Sequence, residues 1–170
     1  MIETERLRLR HLTLDDRDAG FMLRLVNDPG WLRNIGDRNV HTLDDARRYI
    51  QKTIDMYHRL GFGSWAAEIK ETGEPIGTCG LVKRDAIEDV EVGYALLPEH
   101  RRRGFAVEAA RATLDHAWNV LRLPRVAAIV TPTNADSIKV LEAAGLRFAR
   151  RVTLPGATEE ITLYLASAPR

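Results

Sequence analysis

A chain of 170 residues can bury one full hydrophobic core, and 45% hydrophobic against 29% charged residues is the balance of a folded globular domain, neither disordered nor embedded in a membrane. Twenty-five Lys and Arg against 24 Asp and Glu leave a formal net charge of +1, which argues against nucleic acid as the main partner. The single cysteine, Cys79, excludes an internal disulfide, and no stretch approaches the ~18 apolar residues of a membrane span.

The chain opens on "MIETERLRLRH", which alternates charge with leucine and has no apolar signal core, so a cytoplasmic location is expected. No repeat, low-complexity tract or linker divides the sequence, and residues 1–170 read as a single domain. "RLRLRHL" has period two and reads as a strand with Leu7 and Leu9 on one face. Thr13, with Asp16 three residues on, then starts a helix with Ala19, Met22, Leu23 and Val26 on its apolar side; "NDPGW" ends it. Thr42 and Asp45 repeat the pattern before a second helix that buries Ala46, Ile50, Ile54 and Tyr57.

"SWAAEIKETGEPIGTCGLV" reads as two strands around a turn at Glu71 to Glu74. "DVEVGYALLP" is a further strand, with Val90, Val92, Tyr94 and Leu96 on one face and Glu91, Gly93, Ala95 and Leu97 on the other. From Phe105 the spacing turns helical, through Val107, Ala110, Leu114, Ala117, Trp118 and Leu121. "VAAIV" is short and continuously apolar, as an interior strand covered on both faces requires. Asn134 caps a last helix that Gly145 stops, and two strands joined near Pro155-Gly156 complete the chain. This order predicts an α/β (α+β) domain with a mixed sheet.

The handover "LLPEHRRRGFA" carries the chemistry. A helix start presents amides without intrahelical partners, and its dipole favours an anion. A glycine there lets a phosphate approach the backbone, and arginines add charge-assisted hydrogen bonds. Arg101, Arg102, Arg103 and Gly104 therefore describe a phosphate cradle, with a solvated basic turn as the plainer alternative. No G-x-x-x-x-G-K-[ST] or G-x-G-x-x-G pattern accompanies it, so both nucleotide motifs are poor matches.

"R-x-x-G-x-A", filled by Arg101, Gly104 and Ala106, resembles the Q/R-x-x-G-x-G/A loop of the GNAT superfamily of acetyl-CoA-dependent N-acetyltransferases. "ETERLRLRHLTLDD", "PIGTCGL", "EVGYALLPEHRRRGFAVEAARA" and "NADSIKVLEAAGLRF" follow in the order typical of its RimJ/RimL branch, which acetylates N-terminal amines of ribosomal proteins. The resemblance implies a GNAT fold: a mixed, mostly antiparallel sheet of about seven strands with helices on both faces. It also implies acetyl-CoA as co-substrate, held by Leu96, Leu97, Arg101, Arg102, Arg103, Gly104, Phe105, Ala106, Asn134 and Ser137. The partner is an amine, a peptide N-terminus or a small molecule, with no nucleic acid, membrane or metal; a homodimer stays open.

Three catalytic residues are expected. Glu91, on the small-residue face of its strand, is the first candidate base, ahead of Glu68. The resemblance also implies that a backbone N–H near Leu97 meets the developing oxyanion charge, and Pro98, which cannot continue the ladder, is consistent with it. The tyrosine that many GNAT enzymes place seven residues after the capping asparagine is here Leu141, and Ser137 is the branch's alternative hydrogen-bonding partner for the leaving sulfur. Cys79 reads as a small strand hydrophobe and Trp31 and Trp65 as core; the resemblance, in which the first two helices flank the acceptor groove, implies the segment Trp31 to Val40 as the place to look for the acceptor. An acyl-CoA-binding sensor without acceptor chemistry is the alternative from another class.

Overall fold

The computed structural model describes residues 1–169. Its strands are β1 (Ile2–Glu3), β2 (Leu7–Arg10), β3 (Ser64–Ile69), β4 (Pro75–Val82), β5 (Val90–Leu96), β6 (Arg125–Val130), β7 (Arg147–Val152) and β8 (Ile161–Ser167). Its α-helices are α1 (Asp16–Val26), α2 (Pro29–Asn34), α3 (Leu43–Leu60), α4 (Phe105–Asn119) and α5 (Ala135–Ala144). The strands form one sheet in the order β1-β2-β3-β4-β5-β6-β8-β7. Every neighbouring pair is antiparallel except β5 and β6. The eighth strand, beyond the seven expected, is β1; two residues are too few for alternation to reveal it.

The period-two faces of the strands sort the core into two layers. Leu7, Leu9, Trp65, Cys79, Val92 and Leu96 pack under Phe105, Ala109 and Leu114 of α4 and Leu141 of α5. On the opposite face Ala66 and Leu97 meet Phe21, Met22, Leu25 and Val26 of α1 and Ala46 and Ile50 of α3. Glu91 shares the parity of Leu97 and therefore belongs to the α1/α3 side. In β6, Val126, Ala127 and Ala128 are buried on both faces, as an interior strand should be.

Helix boundaries differ from the sequence reading in two places. The N-cap of α1 is Asp15, whose carboxylate accepts from the Asp18 amide at 2.8 Å. Thr13 instead turns inward, its amide and hydroxyl donating to the Asp18 carboxylate at 2.7 and 3.1 Å. "NDPGW" does not merely end α1: Asp28 caps the Trp31 amide at 3.2 Å and Pro29 opens α2. The Thr42–Asp45 capping box and the left-handed glycine stop at Gly145 lie where expected, and Gly61 ends α3 in the same left-handed conformation. Among the described residues no helix is long and apolar enough to cross a membrane, and no three His, Cys, Asp or Glu side chains gather as metal ligands.

Candidate active site

β5 and β6 pair in parallel at only two positions, Val90 with Val126 and Glu91 with Ala127. Beyond Glu91 the strands part. β5 stays laddered to β4 as far as Leu96, while β6 is held on its other side by β8, so the gap lies between two anchored strands. Pro98, which lacks an N–H, begins a 3-10 turn to His100 at the end of β5. The chain then reaches the start of α4 through two left-handed residues, Arg102 (φ 59°) and Gly104 (φ 81°).

That path leaves the amides of Arg102, Arg103, Gly104, Phe105, Ala106 and Val107 without a protein acceptor among the described residues; the first helical bond at this end runs from Glu108 to the Gly104 carbonyl at 3.1 Å. Six successive free donors at the positive end of a 15-residue helix offer hydrogen bonds that an anion could accept. A Cβ on Gly104 would sit 3.1 Å from Arg6 Nη2, on a backbone that L side chains rarely adopt. Arg6, just before β2, braces the corner: it donates to the Arg103 carbonyl at 2.9 Å and to Glu108 at 2.7 Å, and lies 4.4 Å over the Phe105 ring. A cleft of about 420 Å³ adjoins the corner on the β2–β3 side and presents Arg6, Lys70 and Arg103.

The arginines divide their work. Arg102 is exposed and reaches Asp136 of α5 at 3.1 Å, and Arg103 lies 5.2 Å over Phe105. The Arg101 guanidinium is committed inward, donating to the Leu96 carbonyl at 3.0 Å and pairing with the Asp28 carboxylate that caps α2. It ties the corner to the helix between α1 and α3.

Leu97 is not the oxyanion donor. Its N–H donates to the Ile76 carbonyl of β4 at 2.8 Å, and its side chain is buried with α1 and α3. Strand alternation then aims the Leu96 and Tyr94 amides at the gap, where β6 no longer pairs. The amide at the end of β5 that faces the gap is therefore that of Leu96, one residue before the expected one.

Glu91 is 1% exposed. Arg84, from the β4–β5 connection, donates from Nε to Oε1 at 3.2 Å and lies 3.0 Å from Oε2 without the alignment of a hydrogen bond, so Oε2 has no donor. Burial pushes the Glu91 pKa up, and the positive charges of Arg84 and Lys83 offset only part of that. Glu68 is closed off by comparison, with Arg8, Arg10 and Arg17 at 3.2, 2.7 and 3.8 Å.

Asn134 caps α5 by accepting from the Ser137 amide at 3.2 Å. Its first turn brings the Ser137 Oγ to 2.7 Å from the Tyr94 hydroxyl, which also lies 3.0 Å from the Ser137 carbonyl oxygen. Because α5 follows β6, this contact spans the gap on the α4/α5 side. Sequence reasoning missed Tyr94, although a hydroxyl on the apolar face of β5 was the available signal. It also missed Arg84, which lies in an irregular loop where no periodicity points at Glu91. Cys79, opposite Tyr94 in the ladder, is buried with its thiol pushed up to about 12 by burial, and is no nucleophile.

Comparison with known proteins agrees with this architecture. An acetyltransferase (GNAT) domain model matches residues 6–147. The chain is 34% identical over 139 residues to N-acetyltransferase p20 of Bacillus licheniformis, covering 81% of this chain and 77% of p20. It is 33% identical over 156 residues to YkkB of Bacillus subtilis, covering 88% and 86%. RimJ of Mycobacterium smegmatis, solved with CoA-disulfide, superposes with a TM-score of 0.81 over 95% of this chain and 82% of that one; at 21% identity the likeness is one of fold. With that match across most of its length, and with its strands parted beside a helix start, this chain belongs to the GNAT acetyltransferase family.

Proposed function

We propose that the protein transfers the acetyl group of acetyl-CoA to a primary amine by direct attack, in the manner of the RimJ/RimL-like branch. The observation that carries this reading is the run of free amides from Arg102 to Val107 beside the gap between β5 and β6. The donor set fits a diphosphate, and a side chain at Gly104 would crowd it. Acetyl-CoA, when bound, supplies a thioester whose acyl carbon accepts a nitrogen nucleophile.

The chain's own groups then have separable tasks. The amides from Arg102 to Val107 hold the diphosphate. The Leu96 N–H faces the position where oxyanion charge develops. Glu91, whose Oε2 is buried without a donor, is the group to take the amine proton, through a water admitted where the strands part. A peptide α-amine, with a reference pKa of about 7.7–8.0 against about 10.4 for lysine, asks least of such a base. Ser137 faces the leaving sulfur from α5.

The test is thiol release from acetyl-CoA in the presence of a panel of peptide N-termini, free amino acids, polyamines and aminoglycosides, with calorimetry of acetyl-CoA binding alongside. Release that depends on an amine is expected, together with loss of acetyl-CoA binding in a folded Gly104→Glu variant. Binding without release on any amine would instead make the protein an acyl-CoA sensor. Undiminished binding by Gly104→Glu would remove the corner as the cradle.

A further inference from the structure

The contact between β5 and α5 has more in it than proximity. The Tyr94 hydroxyl lies 2.7 Å from the Ser137 Oγ and 3.0 Å from the Ser137 carbonyl oxygen. A carbonyl oxygen only accepts, and a phenol has one hydrogen. Both contacts can therefore be hydrogen bonds at once only if Tyr94 donates to the carbonyl and Ser137 donates to Tyr94. In that arrangement the one hydrogen of Ser137 is held against β5, away from any ligand in the gap.

The same heavy atoms permit a second arrangement. If the Ser137 hydrogen turns into the gap, the Tyr94 hydrogen can turn from the carbonyl to the vacated lone pair of Ser137 Oγ. Two rotations about C–O bonds suffice, and no heavy atom moves. Both side chains are half-buried, so neither hydroxyl is sealed in the core. Cys79, the cross-strand neighbour of Tyr94, stays a neutral thiol and does not compete as an anion.

We propose that Tyr94 and Ser137 form a two-position hydrogen-bond switch that hands a donor to the sulfur as it leaves, with Tyr94 the positioning residue and Ser137 the group that touches the sulfur. The inference rests on the transferase reading above and deepens it. As the C–S bond breaks, its electron pair stays on sulfur; the Ser137 O–H then points at that charge, and the Tyr94 O–H points at Ser137 Oγ. No proton changes owner in this step. Burial and the low acidity of a phenol keep Tyr94 protonated, since its reference pKa of about 10 already exceeds the roughly 8.5 of a cysteine-type thiol. The thiolate is stabilised where it forms and picks up its proton from solvent.

The test reads the thiol of bound CoA without turnover. Calorimetry first establishes saturation, and the ultraviolet absorbance of the thiolate is then titrated against pH for the wild type, Tyr94→Phe, Ser137→Ala and the double variant. The wild type is expected to hold the bound thiol about one pKa unit below free CoA, as one hydrogen bond to a charged group would. Ser137→Ala should restore the free value, Tyr94→Phe should restore part of it, and the double variant should match Ser137→Ala alone. With saturating amine, Tyr94→Phe should lower kcat roughly fivefold while leaving the affinity for acetyl-CoA unchanged. A wild-type thiol pKa in Tyr94→Phe, or additive effects in the double variant, overturns the switch. Failure of the wild type to bind CoA would remove the transferase reading and the switch together, whereas binding with an unmoved thiol pKa removes the switch alone.

Discussion

Glu91 and Glu68 look alike as letters, each a lone carboxylate in an otherwise apolar strand. Their surroundings separate them. Glu68 is enclosed by three arginines that hold β2, β3 and α1 together, whereas Glu91 has one arginine and a bare oxygen beside parting strands. Burial raises the Glu91 pKa, so its carboxylate form is reached only above the ordinary glutamate value of about 4.3. The acid limb of kcat/KM against pH should therefore lie above that value, and Glu91→Gln should abolish it. Arg84→Ala removes the main counter-charge and should move the limb to higher pH. A limb that stays in place in both variants would take the base role from Glu91. Strand parity was readable for this residue; its partner was not, because Arg84 reaches it from an irregular loop.

The junction of β2 with α1 shows how a local signal loses to a tertiary one. Thr13 and Asp16 have the spacing of a capping box, but Asp18 is 1% exposed and must collect donors. Arg10 donates to both its oxygens at 2.8 Å and the Thr13 amide to one at 2.7 Å, so the helix start slips to Asp15. Burial alone would raise the Asp18 pKa; these hydrogen bonds outweigh it and hold the group below the usual aspartate value. A depressed folded-state pKa contributes stability that is present above the unfolded value of about 3.9 and is lost as pH falls through the folded one. Asp18→Asn should cost about 3 kcal/mol by urea denaturation at neutral pH, and the deficit should shrink below about pH 4. A pH-independent deficit would mean that packing, not charge, makes the contribution. The short α2 was missed for a related reason: six residues are too few for a helical period, and its cap is held by Arg101 from far along the chain.

The domain as a whole is a sheet that is continuous except in one place. β4 and β8 hold the outer sides of β5 and β6; the α4/α5 layer covers one face of both, and on the other Leu97 packs with α1 and α3 while Ala127 packs with Ile87 and Leu163, so the gap is built into the fold. A ligand seated there and at the α4 start binds only the folded chain. CoA at about one hundred times its Kd should therefore add roughly 2.7 kcal/mol of stability and raise Tm by roughly 5–10 °C. ATP, which shares the phosphates but cannot thread the gap, should do much less; an equal rise would mean a general phosphate site.

By itself, the sequence determined whatever follows from local periodicity and backbone chemistry. It set which faces of the strands are buried, the Thr42, Asn134 and Gly145 helix ends, and the glycine corner at the start of α4, because each depends on neighbours within a few residues. Only the tertiary structure decided which of Leu96 and Leu97 offers its N–H to the gap, why Arg101 is spent on Asp28, and how Tyr94 meets Ser137. Those outcomes depend on which strand lies beside which and on side chains that meet from distant parts of the chain, and such meetings leave no period in the sequence to read.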